Sequence, residues 1–538
     1  RPDRRLAPAP QARTPRGSPA RAGTVLPRRL GPHPVSAPLP GLPAVLSLGL
    51  PRLTAGFDTA ERLDRRAHLA VHGSMPQLTE AQLTELAETV ALRGRGGAGF
   101  PFGRKLRAVA RSARRRDVRP AVVVNGCEGE PACRKDAVLL ARAPHLVLDG
   151  ALLAATALGA NTLVIGVTRP ATEESVREAL AERGLADRRG RALRARVVRL
   201  PERLVSGESS ALLRAAEGGP PLPPGRHGRA SDEGLGGAPT LLSNTETYAQ
   251  LALAARLGAD RYRTTGTTAE PGTLLLTVSG AVPEPRVVEV PSGVPMAYVL
   301  RSCGVDPAFQ GVLTGGYHGA WLDATTAHGA AVSREALAAC GGALGAGAVL
   351  PLPADTCPLG EAVRVAHWLA AESAGQCGPC RLGLPSVAGA LADVVAGGGR
   401  SALETVREAA GAVRGRGACG HPDGAARFTL SALTAFTDDL AAHVLGGGCG
   451  RGTAGVLPLP FAAGAGPANP ESAERLAVDW TLCEGHGLCA GLLPELVRLG
   501  PDGYPALADA GVPTHLRGRA LRAVRRCPAL ALRLDRER

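Results

Sequence analysis

Residues 121–131 read AVVVNGCEGEP. An alanine and three valines run straight into Asn125, Gly126, Cys127, Glu128, Gly129 and Glu130, so a buried strand ends in a polar, glycine-containing turn. The chain beyond repeats the pattern: Asp136 to Leu158 reads as a helix, TLVIGV (162–167) as a strand, Ala171 to Arg183 as a helix, and RVVRL (196–200) as a third strand. Short apolar strands alternating with helices predict a mostly parallel α/β sheet. Ligands of such sheets gather at the carboxyl ends of the strands, which makes 125–131 the first place to look for chemistry.

Working outward, TEAQLTELAETVALR (79–93) has apolar residues at helical spacing behind a Thr79 N-cap. GRGGAGFPFGRK (94–105) follows. It contains a nominal GxGxxG but comes after a helix, so the usual dinucleotide fingerprint lacks its context. Small residues let backbone N–H groups approach a phosphate, and Lys105 stands just beyond them; a flexible turn is the plain alternative. SGESS (206–210) opens a helix after the third strand, and SNTET (243–247) is a fourth polar element. Carboxylates and carboxamides at strand ends suit nucleotide hydroxyls and ring nitrogens, with a solvated turn as the plain alternative.

Composition sharpens these choices. The chain has 538 residues and a formal charge of +14, yet only two lysines, Lys105 and Lys135, and four asparagines. Residues 1–55 hold nine arginines and one aspartate, so +8 of that charge sits in a Pro/Arg-rich leader read as disordered. Aromatic residues are 3% of the chain, too few for base-stacking platforms, which argues against a nucleic-acid partner. No apolar run has the length of a membrane span. Twelve cysteines, several at metal-type spacings, favour clusters over disulfides and a cytoplasmic location.

Farther on, GTLLLTVSGAV and RVVEVPSGVP, within 272–325, are short strands of a small α+β unit. The pattern is helical from Pro358 to about Leu445 and linker-like from Gly446 to Pro470. Cys377-Gly-Pro-Cys380, with Cys419 39 residues later, can hold a [3Fe–4S] cluster, or a [4Fe–4S] cluster with a fourth ligand from His421 or Cys357. A Cys₃His zinc site with His421, or no metal at all, are the rival readings. Near the end, Cys483, His486 and Cys489 are followed by Cys527-Pro528, a Cys-Pro pair of bacterial ferredoxin type. Without a middle cysteine the expected cluster is [3Fe–4S], and His486 is either a fourth ligand or a neighbour that tunes it. Cys133, Cys303, Cys340 and Cys449 fall outside any ligand pattern.

From about residue 80 to 445, and above all in the GRGGAGFP loop, the chain resembles the flavoprotein subunit of NADH:quinone oxidoreductase, the 51 kDa or F-type subunit of respiratory complex I, and its hydrogenase relatives. Residues 476–538 resemble the single-cluster ferredoxins of actinobacteria, many of which serve cytochromes P450. The resemblance implies an α/β, Rossmann-like FMN domain at 56–265, a ubiquitin-like α+β domain at 266–335, a helical iron–sulfur domain at 336–445, a linker at 446–475 and a small α+β ferredoxin domain at 476–538. It makes Gly94, Arg95, Gly96, Gly97, Lys105, Asn125, Glu128, Gly207, Glu208, Asn244 and Thr247 FMN contacts, and turns Phe100 and Glu130 toward NADH. Cys377, Cys380 and Cys419 become ligands of one cluster and Cys483, Cys489 and Cys527 of another.

The chain departs from the family pattern at Cys127, where an aspartate is usual, at Ser209, where a second glutamate is, and at Ala374, where the first cluster cysteine is. Leu222-Pro-Pro-Gly225 replaces a Lys-Pro-Pro-Phe segment near the adenine. The implied activity is transfer of electrons from NAD(P)H through FMN and iron–sulfur clusters to the ferredoxin unit and on to a redox partner protein. That partner is either a thioredoxin-like [2Fe–2S] protein or a ferredoxin-dependent enzyme. Two rivals stand: a flavoprotein reduced by ferredoxin or a partner subunit, and a non-catalytic scaffold. No general acid or base is needed, and none is assigned.

Overall fold

The computed structural model describes residues 32–36, 41–185, 193–225, 228–460, 474–508 and 511–536. Ordered structure begins inside the stretch expected to be a disordered leader. Strands β1 (Pro32–Ser36) and β2 (Ala44–Leu48) pair antiparallel, and β2 runs parallel to Arg286–Pro291. Val45, Leu46 and Leu48 are buried. Just after them, the buried Glu289 carboxylate accepts the backbone N–H groups of Arg52, Leu53 and Thr54 and the Thr54 hydroxyl. A carboxylate removed from water requires several donors, and the end of the leader supplies them. The expected leader residues 1–31 and 37–40 lie outside the described set.

Helices α1 (Arg65–His72), α2 (Glu80–Thr89) and α3 (Phe102–Arg116) come next. The α2 start is the one the sequence predicts: Thr79 and Gln82 cap each other's backbone reciprocally. The first sheet contains β3 (Ala121–Gly126), β4 (Thr162–Val167), β5 (Arg194–Arg199) and β6 (Thr240–Asn244), all parallel, in the order β5-β4-β3-β6. Around it lie α4 (Lys135–Arg142), α5 (Pro144–Leu158), α6 (Pro170–Glu182), α7 (Ser209–Ala216) and α8 (Thr245–Tyr262). Val122 and Val124 enter the core on one face of the sheet, Ala121 and Val123 the core on the other, as the two-residue period of a strand requires. The single helix expected over 136–158 is two, bent by 92°. Pro144 lacks an N–H and excludes its predecessor from helical geometry, so it begins α5 instead of continuing α4.

A second sheet is built from β7 (Thr273–Val278), β8 (Arg286–Pro291), β10 (Gly311–Thr314), β11 (Ala320–Asp323) and β13 (Ala348–Leu352) with β1 and β2, in the order β1-β2-β8-β7-β13-β10-β11. The short pair β9 (Val294–Pro295) and β12 (Ala331–Val332) and helices α9 (Met296–Ser302), α10 (Ala324–Gly329) and α11 (Arg334–Ala339) complete this region. The sheet therefore takes strands from both sides of the expected 266–335 unit: β2 from the leader and β13 from the start of the expected helical domain.

Helices α12 (Pro358–Ala371), α13 (Leu384–Val395), α14 (Gly399–Val413), α15 (His421–Ala435) and α16 (Thr437–Gly446) follow, with a π-helical turn at Pro379–Gly383 leading into α13. The expected linker at 446–475 is not free along its first half. The fully buried Glu361 carboxylate accepts the N–H groups of Gly455, Val456 and Leu457, Leu457 is itself buried, and the Tyr317 hydroxyl donates to the Pro458 carbonyl at 2.6 Å. Residues 461–473 of that linker lie outside the described residues.

The C-terminal unit holds β14 (Glu474–Val478), α17 (Leu488–Leu492), β15 (Val497–Leu499), β16 (Pro505–Leu507), α18 (Arg517–Arg526) and β17 (Leu532–Arg536), with β14 paired to β17 and β15 to β16. Leu493, Val497, Leu516 and Ala520 form its small core. It rests on α13 through the turn Thr514–Leu516, where His515 donates its backbone N–H to Asp393 at 2.9 Å. Among the described residues no single helix is long and apolar enough to cross a membrane.

Candidate functional site

In the first sheet the chain runs outward from β3 through β4 to β5, then returns to β6 on the other side of β3. A parallel sheet opens a crevice where strand order reverses, and here Asn125 and Asn244 stand opposite each other in register at its mouth. A cavity of about 490 Å³ lies there. Its walls include Gly96, Gly97, Asn125, Glu128, Glu130, Gly207, Glu208 and Asn244, eight of the residues the sequence points to, together with Asp136, His318, Arg334, Cys419 and His421.

The glycine loop owes its shape to packing. Gly97 and Gly99 take positive φ, +118° and +62°, which side-chain-bearing residues rarely adopt. A Cβ on Gly99 would sit 2.5 Å from the Arg334 guanidinium. That guanidinium donates to the Gly97 carbonyl at 2.9 Å and the Gly94 carbonyl at 3.4 Å, while the Arg334 backbone N–H donates to Glu270. The loop is thus clamped by a cation from the second sheet's region. With its carbonyls held by Arg334, a cation also stands at the cavity wall, where an anionic group is favoured.

The other predicted basic groups are engaged behind the wall. Arg95 is buried, pairs with Glu270 at 2.6 Å, and places its backbone N–H on the Thr247 hydroxyl. Lys105 donates to the Leu242 carbonyl at 2.8 Å, and burial lowers its pKa. Gly94, Arg95, Phe100, Lys105 and Thr247 do not line the cavity; Phe100 is about half exposed under Arg104. Lys135, the second lysine, is buried between Asp136 at 2.9 Å and Glu246 at 3.0 Å.

The polar residues of the cavity fall into two sorts. Glu128 accepts the N–H groups of Asp136 and Ala137, Glu208 those of Ser210 and Ala211, and Asn244 that of Glu246, so each ties down the start of a helix. Asn125 bridges the Gly207 carbonyl and the Cys127 N–H. Glu130 differs. One carboxylate oxygen accepts the Tyr317 N–H at 2.9 Å, the other is buried with no hydrogen-bond partner, and burial pushes its pKa up to about 7. It keeps a buried acceptor free for a ligand.

Behind the cavity, Cys377, Cys380 and Cys419 are electrostatic neighbours. Cys380 is buried within the π-helical turn. The three predicted thiols are therefore together, and Cys419 also lines the cavity. Neither proposed fourth ligand joins them. His421 spends Nε2 on the Leu369 carbonyl at 2.8 Å and Nδ1 on His318 at 2.9 Å, which removes the Cys₃His reading with it. The Cys357 thiol lies 3.3 Å from His443. In the C-terminal unit Cys483, Cys489 and Cys527 are neighbours, whereas His486 is half exposed with its Nε2 3.7 Å from Glu484.

Sequence reading missed Arg334, Glu246, Glu270 and His318. All but Glu246 come from distant segments without a motif. Lys135 was visible as a rare lysine beside an aspartate, but only the fold shows Glu246 as its second partner.

Three family descriptions match the chain: the Nuo51 FMN-binding domain over residues 87–253, the NADH-ubiquinone oxidoreductase-F iron-sulfur binding region over 361–443, and a 4Fe-4S single cluster domain over 476–534. Among curated relatives, the F-type NADH-quinone oxidoreductase subunit of Streptomyces coelicolor is 31% identical over 423 residues, covering 74% of this chain and 92% of that protein. An NADP-reducing hydrogenase subunit of Solidesulfovibrio fructosivorans is 28% identical over 407 residues, covering 72% and 82%. A solved NAD⁺-reducing [NiFe]-hydrogenase in its H₂-reduced state aligns with a TM-score of 0.64 at 28% identity, covering 74% of this chain and 67% of that one.

Proposed function

Because the chain belongs to the family of F-type NADH-quinone oxidoreductase subunits, we propose that it is an FMN- and iron–sulfur-dependent oxidoreductase that takes electrons from NADH and delivers them to its own C-terminal cluster unit. When bound, FMN converts a two-electron donor into the single electrons that iron–sulfur clusters carry. The observation that carries the reading is the shared wall: one cavity is lined both by the asparagines and carboxylates of the strand ends and by Cys419 of the inner thiol group.

The residues suit an FMN. We assign Gly96 and Gly97 to its phosphate end, with Arg334 fixing the loop and Gly94, Arg95 and Lys105 supporting it from behind the wall. Asn125, Glu128, Gly207, Glu208 and Asn244 hold the remainder. The unpartnered oxygen of Glu130 is available to accept a hydroxyl or amide N–H of the nicotinamide nucleotide, and the half-exposed Phe100 is assigned to the same nucleotide from outside the cavity. Arg95 and Thr247 take a supporting part, since the Arg95 N–H on Thr247 Oγ1 joins the loop to the start of α8. The ferredoxin-like unit then serves an outside redox protein, either a thioredoxin-like [2Fe–2S] protein or a ferredoxin-dependent enzyme, in the cytoplasm, where thiolate ligands stay reduced.

Anaerobic mixing of flavin-loaded protein with NADH and with NADPH tests this. Rapid loss of flavin absorbance with NADH is expected; no bleaching with either nucleotide overturns it.

A further inference from the structure

Two cysteines unconnected by any sequence pattern meet on the far side of the helical region. Cys357 caps the start of α12, its thiol accepting the Gly360 N–H at 3.2 Å. His443, in the last turn of α16, places Nε2 3.3 Å from that thiol. Cys449 comes from the segment that leaves α16. One ligand atom from each of the three lies within 4.8 Å of the others. Cys357 and His443 are buried and Cys449 partly so.

We propose that Cys357, His443 and Cys449 bind a zinc ion that fastens the segment leaving α16 to the start of α12. Two thiolates and an imidazole are the donor set zinc favours, leaving the fourth tetrahedral position to a water. The imidazole is already turned for it: Nδ1 donates to the Val395 carbonyl at 2.9 Å, so Nε2 presents its lone pair toward the thiols. The Gly360 N–H is aimed at the Cys357 sulfur and works against burial and the Cys449 thiol, which push its pKa up to about 11. Binding releases the two thiol protons and leaves two thiolates against a dication, a neutral site. The fastening matches the contacts beside it: Cys357 donates its backbone N–H to Gly452, and Ala454 donates to Thr356. The site is separate from the cluster thiols, since the neighbours that act on Cys380 are Cys377 and Cys419, and the one that acts on Cys357 is Cys449.

The test uses the full chain, loaded with flavin and iron–sulfur clusters and produced with zinc in excess. Metal analysis is expected to find about one zinc per chain, and X-ray absorption at the zinc edge a mixed sulfur and nitrogen shell. Cys449→Ala, on a partly exposed segment, and Cys357→Ser, which keeps a capping atom, should each lower zinc more than about tenfold with iron, sulfide, flavin and helix content held. Cys377→Ser should lower iron and leave zinc. Absence of zinc from the wild-type chain, zinc retained in both variants, an all-sulfur shell, or a Cys357–Cys449 disulfide in the protein as isolated would each overturn the proposal.

Discussion

The two groups of cluster thiols differ in their surroundings more than in their spacing. Cys377, Cys380 and Cys419 belong to the helical body; Cys380 is 3% exposed, and Cys419 forms part of the cavity wall. Cys483, Cys489 and Cys527 are all partly exposed, on a small unit that shows Trp480, Leu488 and Leu530 to solvent at 61%, 51% and 73%. On the function proposed above, the inner group receives electrons within one molecule and the outer group presents them to another. If so, damage to the inner wall should spare the outer unit, and the converse should hold as well.

The most severe break is expected from Lys135→Met. Its ammonium stands between Asp136 and Glu246, all three buried. Removing one partner of a buried charge group strands the others, at about 3–5 kcal/mol. The urea midpoint of the main body should fall and flavin should be lost, while iron bound by Cys483, Cys489 and Cys527 stays. Loss of iron from both groups together would show that the two regions do not stand apart.

Glu130 sharpens the same contrast through pH. Burial holds its pKa near 7, above the unfolded carboxyl value. Between those two values the native state binds a proton that the unfolded state has released, so stability declines as pH rises from about 4.5 to about 7 and is flat above. The decline is on the order of 3 kcal/mol at most, and Glu130→Gln should abolish it in denaturation midpoints measured across that range. The outer unit's midpoint should not follow. A third, smaller effect is expected at Arg334→Met: without the hydrogen bonds to Gly97 and Gly94 the loop loosens, and the flavin dissociation constant should rise about tenfold, roughly 1.4 kcal/mol.

These three residues also show what the sequence could and could not disclose. The placement of β3, β4 and β5 and the polar segments after β3, before α7 and before α8 were legible, because a strand's period and a helix's capping residues are local signals, and Asn125, Glu128, Glu208 and Asn244 came with them; β6 was legible only at its polar end. Lys135 stood out only because it is one of two lysines in 538 residues. Arg334 could not be foreseen: it lies 235 residues beyond Gly99, the residue it packs against, and no spacing rule reaches that far. The same limit explains the leader and the linker. Glu289 and Glu361 each gather backbone N–H groups from a distant segment whose proline, glycine and arginine content reads as unstructured. Composition reports what a segment lacks by itself; it is silent on a buried carboxylate elsewhere that needs donors.

The smallest expected effect concerns how the two regions meet. His515 places both its backbone N–H and Nδ1 on Asp393 Oδ2, at 2.9 and 3.0 Å, and a Cβ on Gly389 would come within 2.6 Å of the Thr514 hydroxyl. Close approach is thus obtained by a glycine on α13, and direction by one carboxylate. Asp393→Asn keeps an oxygen for the backbone N–H and removes the charge, so the contact should weaken by only about 0.5–1 kcal/mol. Gly389→Leu attacks the approach itself and should displace the unit. Small-angle scattering of the full chain distinguishes them: an unchanged profile for Asp393→Asn and an expanded one for Gly389→Leu. An expanded profile for both would mean that the outer unit is held by charge more than by fit.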